Sequence, residues 1–204
     1  MIRNVVFDMG NVLIRFDKDA FMDQYKVPDE FRPLLMREVY NSLEWSQMDR
    51  GSLTDAQAAE IMCRRIPQEL HDTVHKLVSM WDRPIIPVDG VADIIRELKD
   101  MGCGLYLLSN ASIRQHDYWP RVPCSELFDG TLISADVKLV KPQPEIYRRL
   151  FEKFSLVPEE CVFIDDSTLN AEGAVWCGMQ AIVFHDDAKK LRYDLRSIGI
   201  PVNE

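Results

Sequence analysis

Five short apolar runs punctuate the chain, at residues 2–7, 104–108, 131–134, 161–164 and 181–184. The first shows no polar alternation and the others are of the same kind, which is the pattern of strands buried on both faces. Helix-period segments at 91–101, 144–154, 170–177 and 188–197 lie among them. Strand–helix–strand repetition of this sort predicts an α/β fold, a Rossmann-like three-layer core whose parallel sheet carries helices on both faces. Ligands of such sheets bind beyond the carboxyl ends of the strands, so the residues that follow each apolar run are the ones to read for chemistry.

Residues 17–87 break this rhythm. Four helical stretches are predicted, at 19–25, 29–42, 54–65 and 67–80, with Asp29 and Thr54 as N-caps, and 45–51 is predicted as a loop between the middle helices. No strand interrupts them. A helical insertion placed directly after the first strand reads as a small all-helical cap, giving a core of residues 1–16 and 88–204 and a cap of residues 17–87. The chain contains no internal repeat and no low-complexity tract.

The length of 204 residues suits one substantial core with a smaller satellite. Lys and Arg number 24 against 33 Asp and Glu, a net charge of −9, which opposes a nucleic-acid backbone as partner. A small phosphorylated metabolite stays open, because a divalent cation and one lysine make a positive site inside an acidic protein. Cys63, Cys103, Cys124, Cys161 and Cys177 are odd in number, form no C-x-x-C pair and read as buried thiols of a reducing compartment. The N-terminal apolar run is too short for a signal peptide, and none approaches the roughly 20 residues needed to span a bilayer. The expected location is therefore cytoplasmic, with no membrane partner.

Three strand ends carry polar residues of coherent chemistry: Phe7-Asp8-Met9-Gly10-Asn11-Val12, Leu108-Ser109-Asn110-Ala111 and Phe163-Ile164-Asp165-Asp166-Ser167, joined by Lys141-Pro142 in a loop before a helix. Carboxylates from separate strands suit octahedral Mg²⁺, which keeps waters and accepts a phosphate oxygen. A carboxylate also attacks phosphorus, giving an aspartyl phosphate that water hydrolyses, while metal and lysine neutralise the transferring oxygens.

In this order the four motifs resemble those of the haloacid dehalogenase-like superfamily, spanning Asp8 to Asn170. The resemblance implies Asp8 as nucleophile and metal ligand, with the Gly10 backbone carbonyl and Asp166 as further ligands of Mg²⁺. It implies Ser109 and Asn110 as the pair holding the phosphoryl group, Lys141 as the charge-balancing lysine, and Asp165 and Asn170 as support behind the metal. Phosphatases of this superfamily usually carry a second Asp two residues after the nucleophile, as general acid and then base. This chain has Gly10 there, so about 10²–10⁴-fold of acid–base catalysis must be supplied by a cap residue or metal-bound water, or be forgone. The stretches 7–12 and 109–120, with Asp49-Arg50-Gly51, resemble the bacterial subfamily that includes α-glucose-1-phosphate phosphatases. An anomeric hydroxyl is a better leaving group than an ordinary alcohol, which suits a sugar 1-phosphate to the missing acid.

Each residue has a blander reading. Asp8 alone would be a turn residue, Ser109-Asn110 is a common helix start and in this family also an anion cradle, and Lys138 reads as a surface charge. His71 and His75 have the i, i+4 spacing of a zinc helix but lack a third ligand and read as exposed helix histidines. Trp45 and the Asp49-Arg50-Gly51 turn are weighed between packing and pocket lining, with Trp45 and Arg50 as expected substrate contacts. His116 follows the phosphate-binding turn and is carried as a further candidate, while Tyr118-Trp119 reads as packing. The function expected is Mg²⁺-dependent hydrolysis of a small phosphate monoester through Asp8, by a monomer or weak homodimer. The alternatives are phosphotransfer, a degenerate member that only binds a phosphorylated ligand or protein partner, and a 2-haloacid dehalogenase, which needs no metal.

Overall fold

A computed structural model describes residues 1–203. Strands β1 (Asn4–Phe7), β2 (Gly104–Ser109), β3 (Gly130–Ile133), β4 (Cys161–Asp165) and β5 (Gln180–Val183) form one parallel sheet in the order β3-β2-β1-β4-β5. Alternation along β1 feeds two cores at once. Val5 and Phe7 point into one apolar cluster and Val6 into another on the opposite face. That two-sided burial is why the run shows no polar alternation.

In chain order the helices are α1 (Lys18–Gln24), α2 (Arg32–Leu35), α3 (Leu43–Asp49), α4 (Asp55–Cys63), α5 (His71–Ser79), α6 (Val91–Asp100), α7 (Gln115–Tyr118), α8 (Ser134–Val137), α9 (Pro144–Phe154), α10 (Thr168–Trp176) and α11 (Ala188–Ser197). Ile94, Ile95 and Leu98 of α6 pack with Leu191 and Leu195 of α11 on one face, while Ile146, Tyr147 and Leu150 of α9 meet Ala174 of α10 on the other. The three-layer α/β architecture predicted from the sequence is the one found. α1 to α5 enclose a separate apolar cluster around Met22, Leu35, Met62 and Leu77, inserted after β1. Trp81 packs against both this cluster and the sheet core.

Three local expectations are corrected. The stretch 29–42 is not one helix but a 3₁₀ turn Asp29–Phe31, then α2, then a π-helical turn Met36–Tyr40, with Pro33 in the first turn of α2. Asp29 caps nothing with its side chain. The segment 45–51 is not a loop, because Ser42 accepts the Trp45 N–H at 3.1 Å and opens α3. Thr54 and Gln57 form a reciprocal capping box at the start of α4.

Candidate active site

Strand register builds the site. Phe7 stands level with Leu107 of β2 and Ile164 of β4, so the residues that follow emerge together at the carboxyl edge of the sheet. The Asp8 N–H donates to the Ile164 carbonyl at 2.8 Å, fixing Asp8 beside Asp165. Lys141 enters from the loop before α9, its ammonium 2.7 Å from both Asp8 Oδ1 and Asp165 Oδ2. The three residues are 8%, 0% and 4% exposed for Asp8, Asp165 and Lys141.

One lysine between two buried carboxylates leaves an excess of negative charge. Burial pushes the Asp8 carboxyl up to about 7, with Asp165 adding to the rise and Lys141 opposing it. Burial also works against the Lys141 ammonium, but the two carboxylates outweigh it and hold its pKa above the ordinary lysine value. Asp166 is raised by burial against a hydrogen bond from Asn11 Nδ2 at 3.1 Å.

Carboxylate oxygens of Asp8, Asp165 and Asp166 lie within 4.8 Å of one another. Those of Asp165 are already engaged by Lys141, by the Ser167 N–H at 2.8 Å and by Asn170 Nδ2 at 3.0 Å and 3.2 Å. Asp8 and Asp166 keep oxygens free, and the Gly10 carbonyl accepts no hydrogen bond from the described residues. An all-oxygen set with surplus negative charge fits a hard divalent cation such as Mg²⁺.

Ser109, at the end of β2, is 1% exposed, and both it and Asn110 line the cavity. The Asn110 side chain is spent on the Lys141 backbone, donating to its carbonyl at 3.0 Å and accepting its N–H at 2.8 Å. The helix start expected at Ser109-Asn110 is absent. α7 begins only at Gln115, and the Asn110 amide pins the lysine loop instead of capping a helix.

The cavity above these residues has a volume of about 210 Å³. Its floor is the sheet edge, its roof comes from α3, α4 and α5 through Trp45, Met48, Asp49, Asp55 and Val78, and Phe16, Trp81 and Tyr118 also line it. Trp45 both lines the cavity and packs, with ring centroids 5.7 Å from Phe16 and 5.2 Å from Tyr40. Tyr118 was expected only to pack. It does so against Trp81, at 5.1 Å, and it also lines the cavity.

Arg50 and His116 stand outside it. The Arg50 guanidinium reaches the Lys138 carbonyl at 3.3 Å, and His116 is exposed and pairs with Asp136 at 3.0 Å. One residue along a helix rotates the side chain by roughly 100°, which turns Asp49 inward and Arg50 outward. Asp49 is thus the cavity residue that the sequence reading passed over in favour of its neighbour. Its only early signal was its place in a turn already singled out. Burial pushes its carboxyl up to about 8, with Asp55 and Asp8 adding and Lys141 opposing. Lys138 is exposed as expected, but its ammonium also donates to the Gly51 carbonyl.

His71 turns its ring to the Ile66 carbonyl at 3.0 Å and His75 faces Glu60 at 3.6 Å. Among the described residues the Asp8–Asp165–Asp166 group is the only cluster suited to a metal. All five cysteines are free thiols, Cys63, Cys124 and Cys161 buried and Cys103 and Cys177 partly so. No described helix is long and apolar enough to cross a membrane.

Comparison with known proteins assigns the class. The family model for haloacid dehalogenase-like hydrolases matches residues 2–178, and the chain belongs to that family. It is 26% identical over 212 residues to the drimenol cyclase of Aspergillus calidoustus, matching with 98% of its own length but spanning only 37% of that protein. It is 26% identical to a sesquiterpene phosphatase of Aspergillus oryzae, covering 89% of each chain. Identity to a phosphorylated carbohydrates phosphatase of Thermotoga maritima is 24%, over 87% of this chain and 82% of that one. In fold it is similar to a family enzyme of Bacteroides thetaiotaomicron solved with magnesium and inorganic phosphate. The TM-score is 0.74 at 22% identity, covering 94% of this chain and 98% of the other.

Proposed function

We propose that this phosphate-ester hydrolase releases phosphate from a small phosphorylated metabolite by way of a phosphoaspartate on Asp8. The observation that carries the reading is the meeting of Asp8, Asp165, Asp166 and Lys141 at one sheet edge, under a small roofed cavity. Asp8, Asp166 and the Gly10 carbonyl would hold Mg²⁺, with Asp165 and Asn170 fixing the loop behind them. When bound, that cation supplies positive charge to the transferring phosphoryl oxygens.

Asp8 presents its unpaired oxygen to phosphorus, while Lys141 holds the other and favours the ionised carboxylate. Ser109 and the Asn110 backbone, which line the cavity, would hold the phosphoryl oxygens. The residues of 17–87 act as the cap and those of 1–16 and 88–204 as the catalytic core, in a monomer or weak homodimer.

The cavity supports a small substrate, since about 210 Å³ falls below the roughly 300–1,000 Å³ of sites for drug-sized ligands. Aromatic walls at Trp45 and Trp81, with carboxyls at Asp49 and Asp55, suit a molecule that has apolar faces and several hydroxyls. A sugar phosphate, such as glucose 1-phosphate, has both.

Phosphate release from sugar 1-phosphates, sugar 6-phosphates, nucleotides and an aryl phosphate tests the reading. Turnover is expected with Mg²⁺, is expected to stop with chelator, and is expected to fall to background in Asp8→Asn. Turnover that survives chelator overturns the metal requirement, and a wild-type protein inert on every ester overturns hydrolysis. Alkyl phosphates outrunning every sugar phosphate would remove the sugar assignment alone.

A further inference from the structure

Expulsion of an alcohol from phosphorus needs a proton on the leaving oxygen, and position 10 has no side chain to give one. Space is not the reason. A Cβ placed on Gly10 meets only Phe16 Cβ, at 3.8 Å, which is ordinary contact. A side-chain donor would therefore come from another wall of the cavity.

Four carboxyls line it: Asp8, Asp49, Asp55 and Asp166. Asp8 is bound to Lys141 at 2.7 Å, and Asp166 takes a hydrogen bond from Asn11 at 3.1 Å. Asp55 faces Arg114 at 3.5 Å and takes a hydrogen bond from Ser112, two contacts that favour its carboxylate although burial raises its pKa on balance. The Asp49 side chain has no hydrogen-bond or ion-pair partner among the described residues, and no histidine among them lines the cavity. The Tyr118 phenol is pushed far above its ordinary range by burial and is a poor acid at neutral pH.

Asp49 is also held in place from below. The Ser134 hydroxyl donates to the Asp49 carbonyl, and the Lys138 ammonium donates to the Gly51 carbonyl. Gly51, at φ +69°, lies against Ala135, whose carbonyl carbon is 2.9 Å from where a Cβ would stand. The carboxyl end of α3 is thus docked on α8 of the core, and Asp49 lines the same cavity as Asp8.

We propose that Asp49, brought over Asp8 by docking of α3 on α8, is the catalytic acid and base of this enzyme, in place of the carboxyl absent at position 10. The inference rests on the phosphatase reading above. In the first step an Asp8 oxygen bonds to phosphorus, the ester P–O bond breaks, and the leaving oxygen takes the Asp49 proton to depart as the alcohol. In the second, water attacks the phosphoaspartate and gives a proton to the Asp49 carboxylate. The bond between phosphorus and Asp8 breaks, phosphate leaves, and both residues return to their starting states. Burial raises the Asp49 pKa and so favours the protonated carboxyl, the state the first step requires.

The test is a series of phosphate monoesters running from alkyl esters to dinitrophenyl phosphate, assayed with Mg²⁺ for wild type and Asp49→Asn. Wild-type kcat/KM is expected to depend weakly on the leaving group. Asp49→Asn is expected to lose about 10²–10⁴-fold on alkyl esters and almost nothing on dinitrophenyl phosphate, whose leaving group needs no proton. Retained aryl turnover shows that the variant is folded. Equal loss on every ester by a variant that still melts cooperatively, or no loss at all, overturns the role of Asp49. Should the variant not fold, the wild-type series decides, because a steep dependence on leaving-group pKa means that no acid acts. Wild type inert on every ester is the separate failure of the phosphatase reading.

Discussion

Asp8 and Asp49 line one cavity, and burial raises the pKa of each. The chemistry asks opposite things of them. Lys141 at 2.7 Å favours the ionised form of Asp8, which a nucleophile needs. Asp49 has no such partner and faces Asp55 and Asp8 more strongly than Lys141, with Tyr118 also near, so the protonated form is favoured. A general acid acts only while protonated, so kcat/KM on alkyl esters is expected to fall as pH rises through about 8. A bound cation would move that limb to lower pH, never higher, because positive charge favours the carboxylate. A pH–rate profile on an alkyl ester checks this, and the descending limb is expected to be missing in Asp49→Asn.

At the scale of elements, the weight falls on α3, seven residues opened by the Ser42 cap. It carries Trp45 and Asp49 into the cavity and ends in the turn that touches α8. Gly51→Ala would both strain a left-handed backbone and drive a Cβ into Ala135, so α3 must rise from the core. The expected result is a loss confined to esters with poor leaving groups, with the dinitrophenyl rate and the melting temperature changed far less. Uniform loss across the ester series would show that the turn matters for folding alone. The same element explains a gap in the sequence reading. A cap at Ser42 serving a seven-residue helix leaves too few turns for an apolar period to emerge, so 45–51 looked like a loop.

Across the whole molecule, roof and floor are also tied by charge. Asp82, whose side chain is 0% exposed, receives Arg114 and Arg121, and Arg114 also donates to the Ser79 carbonyl at the end of α5. Gln24 Nε2 donates to the Arg83 carbonyl at 2.7 Å beside it. Asp82→Ala would leave Arg114 with only Asp55, at 3.5 Å, and the Ser79 carbonyl as partners. A broken buried pair costs about 3–5 kcal/mol, and the lower end is expected here because the Arg121 side chain is 43% exposed. Chemical denaturation of wild type and variant measures it. A difference within about 0.5 kcal/mol, as for ordinary surface changes, would mean that the apolar contacts of Trp81 alone hold the two parts together.

The sequence by itself determined the α/β class, the five parallel strands to within a few residues at each end, and the strand-end position of Asp8, Ser109 and Asp165. These follow from burial on both faces of a sheet, which writes itself as unbroken apolar runs, and from the rule that such sheets bind ligands at their carboxyl edge. Strand register then decided that Asp8 and Asp165 share one ammonium. Only the tertiary structure decided what faces them. Whether Asp49 or Arg50 turns inward depends on where a short helix begins. Whether the Asn110 side chain is left for a ligand depends on the Lys141 loop that captures it. Both are questions of rotation and contact between segments far apart in the chain, and composition and spacing carry no record of them.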